Sequence, residues 1–193
     1  MKDLSLHLLD VAKNSVAAGA RHVSIALEED AAGWLTLTIS DDGRGMSPEF
    51  LAQVTDPFTT TRTTRKVGLG LPLLRLTAEQ TGGSLDIQST VGVGTALTAR
   101  FFRQHLDCPP LGDMAGAVAL LIQGSPDMEL TYRHTTPRGD AALSTAELRD
   151  ILGQDVSLAE PEIFAWIQDY LTEQENEAAV DPSPAVGIEG EVL

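Results

Sequence analysis

The sequence predicts an α/β fold in which an antiparallel sheet has one face covered by helices. Three observations carry that expectation. Residues 22–29 and 34–40 alternate apolar and polar positions, with Val23, Ile25 and Leu27 answered by Leu35, Leu37 and Ile39, the period of strands with a single buried face. Residues 84–89 and 95–102 form a second pair of the same kind around the turn at Gly92-Val93-Gly94. Two other stretches, 3–18 and 69–81, repeat their leucines every three or four residues, as amphipathic helices do.

The first helix opens at Asp3, a capping residue, and Gly19 is placed to end it. Leu4, Leu8, Val11 and Ser15 make its apolar row, while His7, Asp10 and Asn14 share a polar face. A carboxylate and a carboxamide one turn apart present hard oxygens that can hold part of a cation's shell and orient a water. The same spacing suits a solvated face with ordinary polar contacts. The hairpin that follows turns at Asp30-Ala31-Ala32-Gly33, and its second strand runs into Asp41-Asp42-Gly43-Arg44-Gly45-Met46. An acidic residue at a strand end, followed by two glycines one residue apart, lets backbone approach a flat ligand and leaves a carboxylate facing a pocket. Taken alone, the hexapeptide is also an ordinary turn signal.

Ser47-Pro48-Glu49 opens a short helix. From Thr59 to Lys66 the chain then carries five threonines with Arg62, Arg65 and Lys66, and no acidic residue lies between Asp56 and Glu79. Gly68-Leu69-Gly70-Leu71 begins the second long helix directly afterwards. Glycine N–H groups, a helix N-terminus and neutralising cations together suit a polyphosphate; the alternative is a flexible basic loop. Leu71, Leu74 and Ala78 give that helix its apolar face, Pro72 falls in its first turn, and Gly82-Gly83 ends it.

Beyond Arg103, Asp107-Cys108-Pro109-Pro110 marks a boundary. A helix over 111–123, a strand over 128–134, a turn at 136–140, a helix over 145–152 capped by Thr145 and a helix over 160–173 are expected in turn. Ile163, Trp166, Ile167 and Tyr170 form the stripe of the last helix, read as facing a core. The organisation expected is a domain at 1–104, a small α/β extension at 105–174 and an acidic, disordered tail at 175–193.

Length and charge narrow the function. A chain of 193 residues with 42% apolar content supports a packed core. Of its 28 acidic residues, 11 lie from Asp150 onward, where no Lys or Arg occurs. That argues against nucleic acid or an anionic membrane as a partner for that part, and the lack of aromatics interleaved with the basic segment argues against nucleic acid there. The single cysteine, Cys108, fits a reducing cytoplasm. The start of the chain lacks a secretory pattern, and no apolar run reaches membrane-spanning length.

In this order, residues 4–102 resemble the ATP-binding domain shared by DNA gyrase, heat-shock protein 90 chaperones, sensor histidine kinases and MutL mismatch-repair proteins. Four boxes carry the resemblance: Asp10 to Ala20, containing Asn14-Ser15-Val16-Ala17-Ala18-Gly19-Ala20; Asp41-x-Gly43-x-Gly45-Met46; Pro57-Phe58-Thr59-Thr60 running into Gly68-Leu69-Gly70-Leu71; and Gly92-x-Gly94-Thr95. The resemblance implies a two-layer α/β sandwich of the Bergerat type, its sheet mixed but mainly antiparallel. It implies ATP and Mg2+ as ligands, with Asn14 on the metal and Asp41 on the adenine amino group. Thr95 would assist Asp41, and Gly43, Gly45, Met46, Gly68, Leu69, Gly70 and Leu71 would line the nucleotide. Arg65 and Lys66 would reach the phosphates, Arg62 stands where that box usually has a basic residue, and Thr60 would belong to the same nucleotide-binding set. Asp10 stands where many relatives carry a catalytic Glu, one methylene longer, and Lys66 stands where the lid motif has its first glycine.

Only two residues precede the first helix, so no histidine-bearing hairpin is expected ahead of it and any phospho-acceptor would belong to a partner protein. Two functions are expected from this: an ATP-using kinase or ATPase, or a non-catalytic ATP-sensing module acting on a partner.

Overall fold

The structure, a computed structural model, describes residues 3–54 and 70–179. Helix α1 spans Leu4–Ala17, strands β1 and β2 span His22–Glu29 and Trp34–Asp41, and α2 spans Pro48–Val54. After the undescribed stretch come α3 (Gly70–Gln80), β3 (Ser84–Thr90) and β4 (Gly94–Phe102). The remainder forms α4 (Met114–Gly124), β5 (Glu129–Thr136), β6 (Gly139–Ser144), α5 (Thr145–Leu152) and α6 (Pro161–Ala179). This is a two-layer α+β fold built on one six-stranded mixed sheet in the order β3-β4-β2-β1-β5-β6. All neighbouring strands run antiparallel except β1 and β5, which are parallel.

Local chemistry accounts for the elements. Asp3 caps α1 by accepting from the Leu6 N–H at 3.0 Å. At the far end the Gly19 N–H reaches the Val16 carbonyl and the Ala20 N–H the Ser15 carbonyl, the paired bonds of a Schellman ending. Ser47 caps α2 through the Phe50 N–H. On the sheet, Ile25, Leu37, Ala99 and Tyr132 are all buried on the helix side, where α1, α3, α4 and α6 pack. Each fully buried Leu or Ile there contributes about 1.5–3 kcal/mol. Thr36, Thr38, Thr98 and Arg100 occupy the alternate positions and leave the other face polar.

Four expectations are corrected beyond residue 105. Residues 139–144 form a strand, β6, where only the preceding turn was expected. Ser144, not Thr145, caps α5; Thr145 is buried and its hydroxyl accepts from the Leu130 N–H at 2.8 Å. Helix α6 continues to Ala179, past the expected start of the tail at residue 175, because its last turns are held by Gln174 on the Ala142 N–H and by Thr136 on the Ala178 carbonyl. Finally, Ile167 and Leu171 are the buried positions of α6, while Trp166 and Tyr170 face outward.

A charged cluster lies at the seam between β1, β5 and α6. His134, almost wholly buried, stands 2.7 Å from Glu175 and 3.2 Å from Glu29, and the Tyr132 hydroxyl donates to Glu175. Burial alone would lower the His134 pKa, but the two carboxylates outweigh it and raise it to about 9. The same contact, foremost, holds Glu29 below its ordinary range. The folded state therefore keeps a proton that the unfolded state loses from about pH 6.5. The contribution, roughly 3 kcal/mol, is complete below that pH and drains away as the pH rises to about 9. The melting temperature should fall across this window, and His134→Gln should flatten that slope.

Candidate functional site

A concavity of about 310 Å³ opens between α1, the ends of β2 and β4, α2 and the start of α3. Its walls are apolar, with Val11, Ile39, Ile87 and Leu97 among them, and Asp41 is its carboxylate. Alternation along β2 puts Ile39 and Asp41 on the helix side of the sheet, so Asp41 looks into the gap beside α1. There its Oδ2 accepts from the Ser15 hydroxyl at 2.6 Å and its Oδ1 from the Gly43 N–H at 2.9 Å. The carboxylate is thus fixed from a helix and from its own turn, with lone pairs left for a ligand.

The turn after Asp41 closes on the β3–β4 turn. The Gly92 N–H donates to the Arg44 carbonyl at 2.8 Å, and the Met46 N–H to the Ser89 hydroxyl, which lies 2.8 Å from the Thr95 hydroxyl. Two glycines make this approach possible. At Gly45, φ is +65° and a Cβ would fall 2.0 Å from the Thr90 carbonyl oxygen. At Gly94, φ is +140° and a Cβ would fall 1.9 Å from the Asp41 carbonyl oxygen. Any side chain at either place would push the two turns apart. Thr95 is directly opposite Asp41 in the β2–β4 register, so its hydroxyl stands beside the carboxylate's strand end.

Of the residues singled out from the sequence, Asn14, Asp41, Gly45, Met46, Leu71 and Thr95 line this one cleft. Gly43 lies behind it, bonded to Asp41. Asp10 is exposed on α1 one turn before Asn14, against the first turn of α3, where a Cβ on Gly70 would sit 3.5 Å from its own Cβ. Thr60, Arg62, Arg65, Lys66, Gly68 and Leu69 lie outside the described residues. Ser15 was missed as a site residue: it was read into the apolar row of α1, where a lone hydroxyl among Leu4, Leu8 and Val11 was the available signal. The apolar walls were missed as well, since Ile39 and Leu97 are indistinguishable in sequence from other core positions.

Comparison with known proteins bears on this cleft. Residues 2–105, more than half of the chain, match the family of histidine kinase-, DNA gyrase B-, and HSP90-like ATPases. The chain belongs to that family. The sensor histidine kinase ZraS of Klebsiella oxytoca is 32% identical over 93 residues, 47% of this chain and 20% of that protein. The sensor protein SrrB of Staphylococcus aureus is 34% identical over 100 residues, 49% of this chain and 17% of that protein. The chain thus spans about a fifth of the length of these relatives. Among solved structures, the Aquifex aeolicus MutL ATPase domain complexed with ADP superposes with a TM-score of 0.49 at 14% identity, over 75% of this chain and 63% of that one. The family match covers α1 through β4, the elements that build the cleft. Among the described residues no helix is long and apolar enough to cross a membrane.

Proposed function

We propose that the chain binds Mg-ATP in this cleft and uses the γ-phosphate, by transfer to a partner protein or by hydrolysis, to drive a regulatory change. The observation that carries the reading is Asp41, a carboxylate fixed by Ser15 and Gly43 among apolar walls. Such a group accepts a hydrogen bond from the exocyclic amine of adenine while the walls take the ring. Thr95 supports the same edge. Asn14, at the mouth on α1, offers the hard amide oxygen that Mg2+ accepts alongside phosphate oxygens, and bound Mg2+ would neutralise phosphate charge. Asp10 is proposed to orient and deprotonate a nucleophile, a reading supported by its exposure beside the start of α3. Thr60, Arg62, Arg65, Lys66, Gly68 and Leu69 are proposed to meet the phosphates on sequence grounds. The acidic balance and single cysteine support a cytoplasmic setting without nucleic acid. In the second reading the same cleft only senses ATP and alters how residues 105–174 meet a partner.

Calorimetry with Mg-ATP and Mg-GTP tests the binding step. ATP should bind with Kd on the order of 10 μM. GTP should bind at least about tenfold more weakly, because its carbonyl would confront the Asp41 carboxylate with no proton between them. Equal affinities, or no heat with either, would remove the adenine assignment.

A further inference from the structure

The feature left unexplained by nucleotide binding is the outer face of α6. Its inner face is fixed by Ile167 and Leu171, both fully buried, and by Glu175 on His134. On the outside, Glu162, Trp166, Asp169, Tyr170 and Glu173 recur at three- and four-residue spacing, and all are exposed. The rings of Trp166 and Tyr170 stack at 5.1 Å between centroids and 12° between planes, yet remain 47% and 36% exposed. Two large aromatics held parallel in solvent form a rigid apolar platform at little entropic cost.

The charge around the platform has no counterpart in its own segment. No Lys or Arg occurs from Asp150 to the end of the chain. Asp169 and Glu173, four residues apart on one helix face, repel each other. Of the carboxylates on α6, Glu175 is matched internally by His134. The other tryptophan shows how this fold treats a partly exposed indole: Trp34 packs against Phe102 at 5.3 Å and carries the Arg100 guanidinium 4.8 Å from its ring centroid. Trp166 has the aromatic neighbour and, one turn away on the helix, carboxylates in place of the guanidinium.

We infer that this face of α6 is a docking surface for a partner protein that presents arginine side chains. A guanidinium can lie flat on the Trp166–Tyr170 platform while its N–H groups reach the carboxylates of Asp169 or Glu173. Trp, Tyr and Arg are the residues that concentrate binding energy at interfaces. A polyanion is repelled by the same face. The inference rests on α6 alone and does not depend on the nucleotide assignment.

The test uses the full chain carrying Trp34→Phe, so that Trp166 is the sole indole. It is titrated with a short amphipathic peptide of Arg and Leu at helical spacing, at an ionic strength of about 0.15 M. The Trp166 emission should change with saturation in the micromolar range, and a peptide with Glu in place of Arg should do nothing. With the Arg peptide fluorescein-labelled, the double variant Trp166→Ala/Tyr170→Ala should bind at least about tenfold more weakly at unchanged net charge, while its melting temperature and Mg-ATP affinity stay those of the wild type. Asp169→Asn/Glu173→Gln, which keeps both rings, should weaken binding as well and provides a second reading if the alanine pair folds poorly. Undiminished binding by both variants would reduce the effect to bulk negative charge and overturn the assignment. So would a wild-type Kd above about a millimolar, or sedimentation showing that the face is covered by a second copy of the chain.

Discussion

Asp41→Ala should bind Mg-ATP roughly a hundredfold more weakly than the wild type while remaining folded. Among the described residues Asp41 is the one carboxylate lining the cleft, and losing a charged hydrogen-bond acceptor costs about 1–3 kcal/mol. The structure adds a secondary cost. Ser15, only 4% exposed, donates to Asp41, so the alanine leaves a buried hydroxyl without its acceptor and the melting temperature should drop by a few degrees. Asp41→Asn separates the two effects, since its amide oxygen can still accept from Gly43 or Ser15 while its amide protons oppose the adenine amine. It should lose affinity nearly as far as alanine and lose less stability. Calorimetry and thermal melts on the two variants check this, and unchanged affinity in both would place the base elsewhere.

Asp10→Asn should leave affinity in place and lower turnover by roughly 10²–10⁴-fold, the usual contribution of a positioned general base. Asp10 does not line the cleft; it stands against the first turn of α3, beside Gly70. Asparagine keeps its shape and removes only its basicity. Asp10→Glu extends the reach by one methylene and should raise turnover above the wild type if distance limits proton transfer. Asn14→Ala, by contrast, should weaken Mg-ATP binding itself. The readout is phosphate release or transfer from purified protein with a candidate partner. If wild-type turnover equals that of buffer and Asp10→Asn changes nothing, the ATP-sensing reading replaces the enzymatic one.

What the sequence revealed and what it hid divide along physical lines. Helices α1 and α3 and both hairpins of the first half were legible because period and end signals agreed at each, as with Asp3 and Gly19 around α1. The Asp41 turn was legible because its two glycines mark places with little room for a side chain: at Gly45 a Cβ would strike the Thr90 carbonyl, and at Gly43 it would crowd the Ala18 methyl and the Asp41 carboxylate. Strand β6 was hidden: Ala141 and Ala142 carry little strand preference, and its place comes from pairing with β5 and cover from α6. Ser15 was hidden because its value lies in a partner 26 residues away. The length of α6 was hidden for the same reason. Glu175 reads as a solvated tail residue until His134 and Tyr132 are seen to enclose it.

The parallel pairing of β1 with β5 also has a consequence for synthesis. Strand β1 borders its sheet neighbour β2 at once, but its other edge waits for a partner made roughly a hundred residues later. At common elongation rates the emerging chain spends on the order of ten seconds with that edge bare. The edge belongs to a strand carrying Val23, Ile25 and Leu27, the sort of template on which nascent chains adhere to one another. Glu28 and Glu29 close to its end place like charges on any chain that would pair there in register, acting as a guard until residues 129–136 arrive. Glu29 is then drawn into the ion cluster with His134, so the residue that shields the unfinished sheet is also the one that seals it.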